Sequence, residues 1–295
     1  MNNFKNSVIF ILSLIILVQS ALLIYFISRK SPVEKPAQAA RQQAVVRKAA
    51  LLKETPEPVS RKPAVAVTPS LSKGKIAIVL DDWGYTLKNA DFISENDFHV
   101  TIAVLPFKAY SARIAEIAHE KGKDTIVHMP MEPLNKDHYD LEENTVMINM
   151  DKPEIMRLLR NAFDSVPYAR GMNNHMGSAA TENIRLMRIV MQYLKERDFF
   201  FLDSLVTSKS VCRGLARRLG VKFAQRDIFI DNESDSVYIH GQLMKLASKA
   251  KSNGSAIGIG HDRPATIAVL KEMIPKLEAD GFEFVYVSEL ESSGE

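Results

Sequence analysis

Cysteine is almost absent from this chain, and its scarcity excludes two ways of stabilising a fold. Cys212 is the single cysteine among 295 residues. No intrachain disulfide is therefore available, and a cysteine-rich zinc site is excluded. Disulfide-free chains are typical of the cytosol but also occur in the cell envelope, so cysteine usage leaves the compartment open.

The chain also lacks a clustered basic face outside its N-terminal region. Residues 29–74 contain ten Lys or Arg and three Glu, and Lys5 is the only charged side chain before them. Because the whole chain carries a formal net charge of +3, residues 75–295 carry a net −5. A nucleic-acid-binding domain needs basic side chains gathered on one face, so nucleic acid is not an expected partner.

Charge is missing altogether from one long segment near the N-terminus. The 23 residues between Lys5 and Arg29 are uncharged, and VIFILSLIILVQSALLIYFI is almost wholly apolar. About 20 such residues span a bilayer core. We expect residues 1–30 to form a single-pass anchor in the inner membrane, with the globular domain on the periplasmic side; the alternative is a cleaved signal peptide.

Aromatic residues are absent from residues 31–74, which are rich in Pro, Ala, Lys and Arg. No apolar stripe in this segment could support a core. It is predicted to be a linker that leads to a domain spanning residues 75–295.

Strand and helix patterns alternate throughout residues 75–295. Helical patterns cover 111–122, 152–166, 181–198 (with Thr181 as the N-terminal cap) and 263–281. Such alternation predicts an α/β fold with a mostly parallel sheet. About 220 residues suit an irregular (β/α) barrel of seven to eight strands. The predicted strands are 76–81, 100–105, 124–128, 171–175, 199–203, 222–225, 256–260 and 283–287.

Polar side chains follow several of these strands, at the end where parallel α/β folds place their sites. Asp81 and Asp82 follow the first strand, His128 the third and His175 the fourth. Two imidazoles and a carboxylate form a common catalytic zinc set. We therefore expect Asp82, His128 and His175 to surround one divalent transition metal ion, with Zn²⁺ as the first choice.

Further polar residues at these ends have simpler alternatives. Glu132, Asn174, Asp203 and Asp262 are candidate metal or substrate contacts. An aspartate after a strand is often the N-cap of the next helix, so Asp203 and Asp262 could serve only that role.

Six motifs in order resemble the divergent branch of the polysaccharide deacetylases. They are IAIVLDDWG, TIAVLPF, HMPMEP, NNHMGS, FFLDS and IGIGHDRP, and they extend through most of residues 75–295. The resemblance implies an irregular (β/α) barrel and metal-dependent deacetylation.

The resemblance also implies roles for individual residues. Asp81 matches the catalytic base, Asp82 a metal ligand and His128 the first histidine of a His-x-x-x-His ligand pair. Glu132 stands at the second position of that pair, and His175, which lies where the classical enzymes have an Arg-Pro motif, is the candidate replacement.

The last two motifs, FFLDS and IGIGHDRP, supply the remaining roles. His261 matches the catalytic acid, and Asp203 resembles the aspartate that orients a catalytic partner. We expect a hydrolase acting on N- or O-acetyl groups of a polysaccharide or of peptidoglycan. The alternative is a catalytically weak or inactive envelope protein of the same fold that binds glycan or a protein partner.

Overall fold

Residues 72–292 are the part of the chain that the structure, a computed structural model, describes. The predicted anchor at 1–30, and the predicted linker as far as residue 71, lie outside the described residues. Within residues 72–292, no helix combines the length and apolar character needed to cross a membrane.

Strand β1, Lys75–Trp83, lies inside the sheet, away from both edges, and is buried along most of its length. Its sequence, KIAIVLDDW, has an apolar run with no alternation, as expected for a parallel strand covered on both faces. The strands that follow it are β2 Val100–Val104, β3 Thr125–Met131, β4 Gly171–Met176, β5 Phe200–Asp203, β6 Phe223–Gln225, β7 Ile228–Phe229, β8 Ser255–His261 and β9 Glu283–Val285.

Helices connect the strands and cover the outside of the sheet. The helix that begins at Lys152 starts with a capping box formed by Asp151 and Glu154, and the helix that begins at Ile184 has Asn183 as its N-cap. Both caps satisfy backbone N–H groups that a helix start leaves free. The helices are α1 Ala90–Glu95, α2 Ser111–Glu120, α3 Lys152–Ser165, α4 Ser178–Glu182, α5 Ile184–Lys195, α6 Cys212–Leu219, α7 Ser236–Asn253 and α8 Pro264–Ala279.

The sheet is parallel and curls into an open barrel. Its strand order is β6-β5-β4-β3-β2-β1-β8-β7, and β9 also pairs with β1. In a flat sheet, β1 and β4 would lie about 14 Å apart, because two strands separate them at about 4.8 Å per step. Asn173 on β4 nevertheless hydrogen-bonds Asp81 on β1 at 2.9 Å. The sheet must therefore bend around an interior.

The interior and the exterior of this barrel have separate apolar cores. One cluster contains inward-facing residues of β1, β2, β3, β5, β6, β8 and β9, among them Val79, Ile126 and Ile259. The larger cluster lies between the outer face and the helices. Side chains alternate between the two faces of each strand, so the inward positions can be followed to the strand ends.

Two glycines on the outer face of β8 let neighbouring side chains come close. A Cβ at Gly258 would lie 2.6 Å from Leu246 of α7, and one at Gly260 would lie 2.7 Å from Ile230. Any larger residue would have to displace these neighbours. Ile230 therefore packs directly on β8, one residue before Asp231.

Most of the strands and helices predicted from the sequence are present in the structure. All eight predicted strands are present, and the parallel α/β arrangement is confirmed. The strand β7 was not predicted, because only two residues of it pair with β8. The predicted helix 181–198 was wrong at its start: Thr181 belongs to the short α4, and the side chain of Asn183 caps a separate helix, α5.

Candidate metal centre and active site

The end of β1 departs from regular strand geometry at the two adjacent aspartates. The register with β2 shifts between Leu80 and Trp83, and Asp82 has a φ of 67°. Successive residues of a regular strand would face opposite sides. The left-handed conformation, which aspartate tolerates better than most residues, lets both carboxylates contact residues at the same end of the barrel.

Asp82, His128 and His175 bring three donor atoms together. The Asp82 Oδ1 atom lies 3.3 Å from His128 Nε2 and 3.2 Å from His175 Nδ1, and the two nitrogens are 3.1 Å apart. Bonds of about 2.0–2.1 Å in tetrahedral geometry place donor atoms about 3.3 Å apart. The triangle therefore has the size of one face of a zinc site, and it leaves room for a further ligand.

The donor set also has the chemistry that a metal ion would satisfy. Asp82 Oδ1 is buried and forms no geometrically acceptable hydrogen bond within residues 72–292. A buried acceptor without a partner is costly. Among the described residues, this is the one cluster of at least three His, Cys, Asp or Glu side chains whose donor atoms converge in this way.

The carboxylates and imidazoles in this cluster shift one another's pKa values. Burial alone would raise the pKa of Asp82, but the close approach of His128 and His175 outweighs it and holds that pKa well below its usual range. Burial would lower the pKa of His128, yet the Asp81 and Asp82 carboxylates raise it to about 9. Protons thus compete with a metal ion for His128 at neutral pH.

Asp81 lies beside this triangle and is almost fully buried. Its Oδ1 atom accepts a hydrogen bond from Asn173 Nδ2 at 2.9 Å and lies 3.6 Å from His128 Nδ1. Burial raises the pKa of Asp81, although the nearby His128 and His261 oppose this effect. A buried carboxylate with a raised pKa is a stronger proton acceptor than an exposed one.

His261 ends β8 opposite Asp81, with which it pairs in register. Its Nδ1 atom lies 2.7 Å from Asp231 Oδ1, and Thr266 Oγ1 donates to Asp231 Oδ2 at 2.7 Å. Burial would lower the pKa of His261, but the contact with Asp231 and the charge of Asp81 raise it overall. With Nδ1 engaged by Asp231, Nε2 is the ring nitrogen left for a substrate.

The sequence analysis did not identify Asp231, and the orienting role that the resemblance implied for Asp203 is not exerted on His261. The carboxylate in contact with His261 is Asp231. Asp203 instead accepts from Ser210 Oγ at 2.6 Å and from the backbone N–H of Leu205 at 2.8 Å. These bonds hold the loop that follows β5. The apolar run IFI directly before Asp231 was the available signal.

Glu132 does not join the metal cluster. One carboxylate oxygen accepts from the backbone N–H of Ile148 at 2.6 Å, and the other lies 3.2 Å from Lys136 Nζ. The strand β3 continues to Met131, so Glu132 lies about 13 Å beyond His128 along the chain. The carboxylate instead ties down the long connection between β3 and α3.

Asn174 and Asp262 make supporting contacts near the site. Asn174 donates to Met176 O at 2.7 Å and accepts from the backbone N–H of Ser204 at 3.0 Å, which joins the ends of β4 and β5. Asp262 accepts from Asn89 Nδ2 at 2.6 Å. Neither side chain contacts the three donor atoms, whereas the neighbouring Asn173 contacts both Asp81 and His128.

Comparisons with known proteins identify the family of this chain. The model of a family described as divergent polysaccharide deacetylase matches residues 78–291. The Escherichia coli (strain K12) protein YibQ is 38% identical over 216 residues, which cover 73% of this chain and 67% of that protein. A Haemophilus influenzae protein is 36% identical over 211 residues, which cover 72% of this chain and 75% of that protein.

One solved structure shares the fold. The crystal structure of ATU2773 from Agrobacterium tumefaciens C58 superposes with a TM-score of 0.71 at 21% identity, covering 75% of this chain and 90% of that one. The family match spans all the side chains of the site described above.

Proposed function

Because the chain belongs to the divergent polysaccharide deacetylase family, we propose that it is a metal-dependent hydrolase that removes N- or O-acetyl groups from envelope carbohydrate. The substrate would be a polysaccharide or peptidoglycan. The observation that carries this proposal is the donor triangle of Asp82, His128 and His175, with Asp81 and His261 beside it.

The three donors suit a divalent transition metal ion, most simply Zn²⁺, because two imidazoles and one carboxylate leave a position open. Such an ion would supply Lewis-acid activation of water and of the acetyl carbonyl. The remaining work falls to protein side chains that hold and move protons.

Asp81 is the proposed general base. It is buried and within reach of the triangle, and its raised pKa strengthens it as a proton acceptor. It would take a proton from the attacking water. The hydrogen bond from Asn173 fixes one carboxylate oxygen, so the other remains available.

His261 is the proposed general acid. The Asp231 carboxylate holds its Nδ1–H and raises its pKa, which favours the protonated ring near neutral pH. Its Nε2–H would donate to the leaving amine or alkoxide as the acyl bond breaks. Asp81 and His261 thus have opposite proton-transfer roles on neighbouring strands.

The proposed location is the inner membrane, with one span near residues 8–27 and the domain in the periplasm. The apolar, uncharged N-terminal run supports this proposal. A domain attached in this way would meet envelope glycans at the membrane surface.

A second candidate is a protein of the same fold that binds glycan or a protein partner without efficient catalysis. The observation that favours it is Glu132, which stands at the position of an expected second histidine ligand and is engaged by Ile148 and Lys136 instead. His175 would have to restore the ligand set for catalysis to survive.

Metal analysis and acetate release distinguish the two candidates. The full-length protein in detergent would be assayed for bound transition metal and then for acetate released from acetylated chitooligosaccharides and peptidoglycan fragments. The hydrolase should hold one metal ion per chain and lose both metal and activity in His175→Ala. A wild-type protein that binds metal but releases no acetate from any of these substrates supports the binding protein instead.

A further inference from the structure

The side chain of Asn173 lies between the proposed base and one of the metal ligands, and it is fully buried. Its Nδ2 atom lies 2.9 Å from Asp81 Oδ1, and its Oδ1 atom lies 2.8 Å from His128 Nδ1. The Ser204 hydroxyl is a third neighbour, 3.3 Å from Nδ2. One carboxamide therefore contacts two residues with different proposed roles.

The chemistry of these neighbours fixes the orientation of the amide. An ionised carboxylate offers only acceptors, so the NH₂ end of Asn173 must face Asp81. The carbonyl end then faces His128, whose Nδ1 must carry the proton. In the neutral ring that a metal ion requires, His128 Nε2 then has the lone pair, and that atom lies 3.3 Å from Asp82 Oδ1.

An amide is the side chain that meets both demands without adding charge. A lysine or arginine could donate to Asp81 but could not accept from His128. An aspartate could accept from His128 but would repel Asp81. Partners that fix the tautomer and ring direction of a metal-bound histidine commonly matter for metal affinity.

We propose that Asn173 is a positioning residue that sets both the tautomer of His128 and the orientation of the Asp81 carboxylate. The part of this proposal that concerns Asp81 (the Asp81 half) rests on the proposed hydrolytic function. The part that concerns His128 (the His128 half) rests only on the metal site. Loss of Asn173 should therefore weaken metal binding and, separately, slow proton transfer by Asp81.

Two substitutions separate these effects in the full-length protein. Asn173→Ala removes both hydrogen bonds, so Co²⁺ affinity should fall by about 10–100-fold, and the visible Co²⁺ spectrum should change. Asn173→Asp keeps an acceptor for His128, so Co²⁺ affinity should equal or exceed that of the wild type. Acetate release should nevertheless fall, because the carboxylate introduced by this substitution cannot donate a hydrogen bond to Asp81.

Asn174→Ala is the matched control. Asn174 lies on the same strand and is almost equally buried. Within residues 72–292 its side chain hydrogen-bonds only Met176 O and the Ser204 N–H. Its loss should lower the melting temperature of the metal-free protein but leave Co²⁺ affinity within about twofold, because no ligand tautomer depends on it.

The outcomes distinguish this proposal from the proposed function. Unchanged Co²⁺ affinity in Asn173→Ala, an equal loss in Asn174→Ala, or a loss in Asn173→Asp as large as in Asn173→Ala would each overturn the His128 half. A wild-type protein that binds no Co²⁺ would overturn it as well. Absent acetate release by a metal-loaded wild type would overturn the hydrolytic function and the Asp81 half, while the Co²⁺ measurements would still decide the His128 half.

Discussion

The barrel interior has an upper half, at the C-terminal ends of the strands, and a lower half beneath it. The same strands build both halves, but the side chains of the two halves differ in chemistry. On β1, Val79 points inward among apolar neighbours, and Asp81 is the next inward position. On β8, Ile259 is followed by His261 in the same way. On both strands the side chains of every second residue point into the barrel. Only the type of side chain changes, from apolar to ionisable.

This difference separates stability from chemistry along each strand. In the lower half, burial of apolar side chains stabilises the folded state. The upper half buries carboxylates and imidazoles, which are costly unless each has a partner. Asp81, His128 and Asp231 have such partners, whereas Asp82 Oδ1 lacks one among the described residues. The polar upper half thus carries a cost that the apolar lower half offsets.

The strongest test of the upper half is Asp81→Asn. This change keeps the shape of the side chain and removes the proposed base, so acetate release should fall by about 10²–10⁴-fold. Bound metal, measured by elemental analysis, should stay at the wild-type level. Asp137→Asn, which changes an exposed carboxylate, is the control and should have no effect. A variant with more than about a tenth of wild-type activity would remove Asp81 from the base role.

The matching test of the lower half is Ile257→Ala. Ile257 is buried in the inner cluster, four residues before His261. The lost packing and the remaining cavity should lower the free energy of unfolding by about 2–5 kcal/mol, as measured by urea denaturation of the metal-free protein. Co²⁺ affinity should be unaffected. Val237→Ala, at a side chain that is 79% exposed, should change stability by less than about 0.5 kcal/mol. The division between the two halves fails if Ile257→Ala leaves stability intact but abolishes metal binding.

Asp231→Asn tests how the upper half sets the state of His261. The Asp231 charge raises the pKa of His261 above its usual 6.5, and a general acid acts only when protonated. Removing the charge should lower that pKa, so the alkaline limb of the pH–activity profile should move to lower pH. At a pH well above both pKa values, the rate should fall by about tenfold for each unit by which the pKa of His261 falls. Glu233→Gln, at an exposed carboxylate two residues away, should leave the profile unchanged, and an unshifted limb in Asp231→Asn would contradict the assignment.

The last test is the pH dependence of metal binding. The pKa of His128 is raised to about 9 in the metal-free protein, so below that pH a metal ion must displace its proton. Apparent Zn²⁺ affinity should therefore rise by about tenfold per unit between about pH 6 and pH 8. Competition with a chromogenic chelator measures this slope. A flat profile would mean that His128 is not a ligand or is already neutral.

Much of the site could be predicted from sequence because parallel strands end at the same edge. Asp82, His128 and His175 each follow an apolar strand, and the structure brings them together. The left-handed conformation of Asp82 could not be predicted, because aspartate also adopts ordinary strand geometry. Without that conformation, the pair Asp81-Asp82 would face opposite sides of the sheet.

The residues that were missed have identifiable physical reasons. Asp231 follows a strand of only two paired residues, which is too short for a periodic pattern. Asn173 was visible at the end of the fourth strand, and its two-residue spacing from His175 indicates the inward face. The prediction that Glu132 is a candidate ligand depended on spacing taken from the family resemblance. In the structure, the carboxylate of Glu132 instead accepts a hydrogen bond from the long connection after β3.

The close packing outside β8 has a consequence for proton chemistry inside it. Because Gly258 and Gly260 have no side chains, Ile230 can lie directly on the strand, and the next residue, Asp231, can hydrogen-bond both the backbone and the ring of His261. A single added methyl group on the solvent-remote side of this strand would push that carboxylate away. The pKa of His261 therefore depends partly on the absence of side chains at two positions on the opposite face of the same strand.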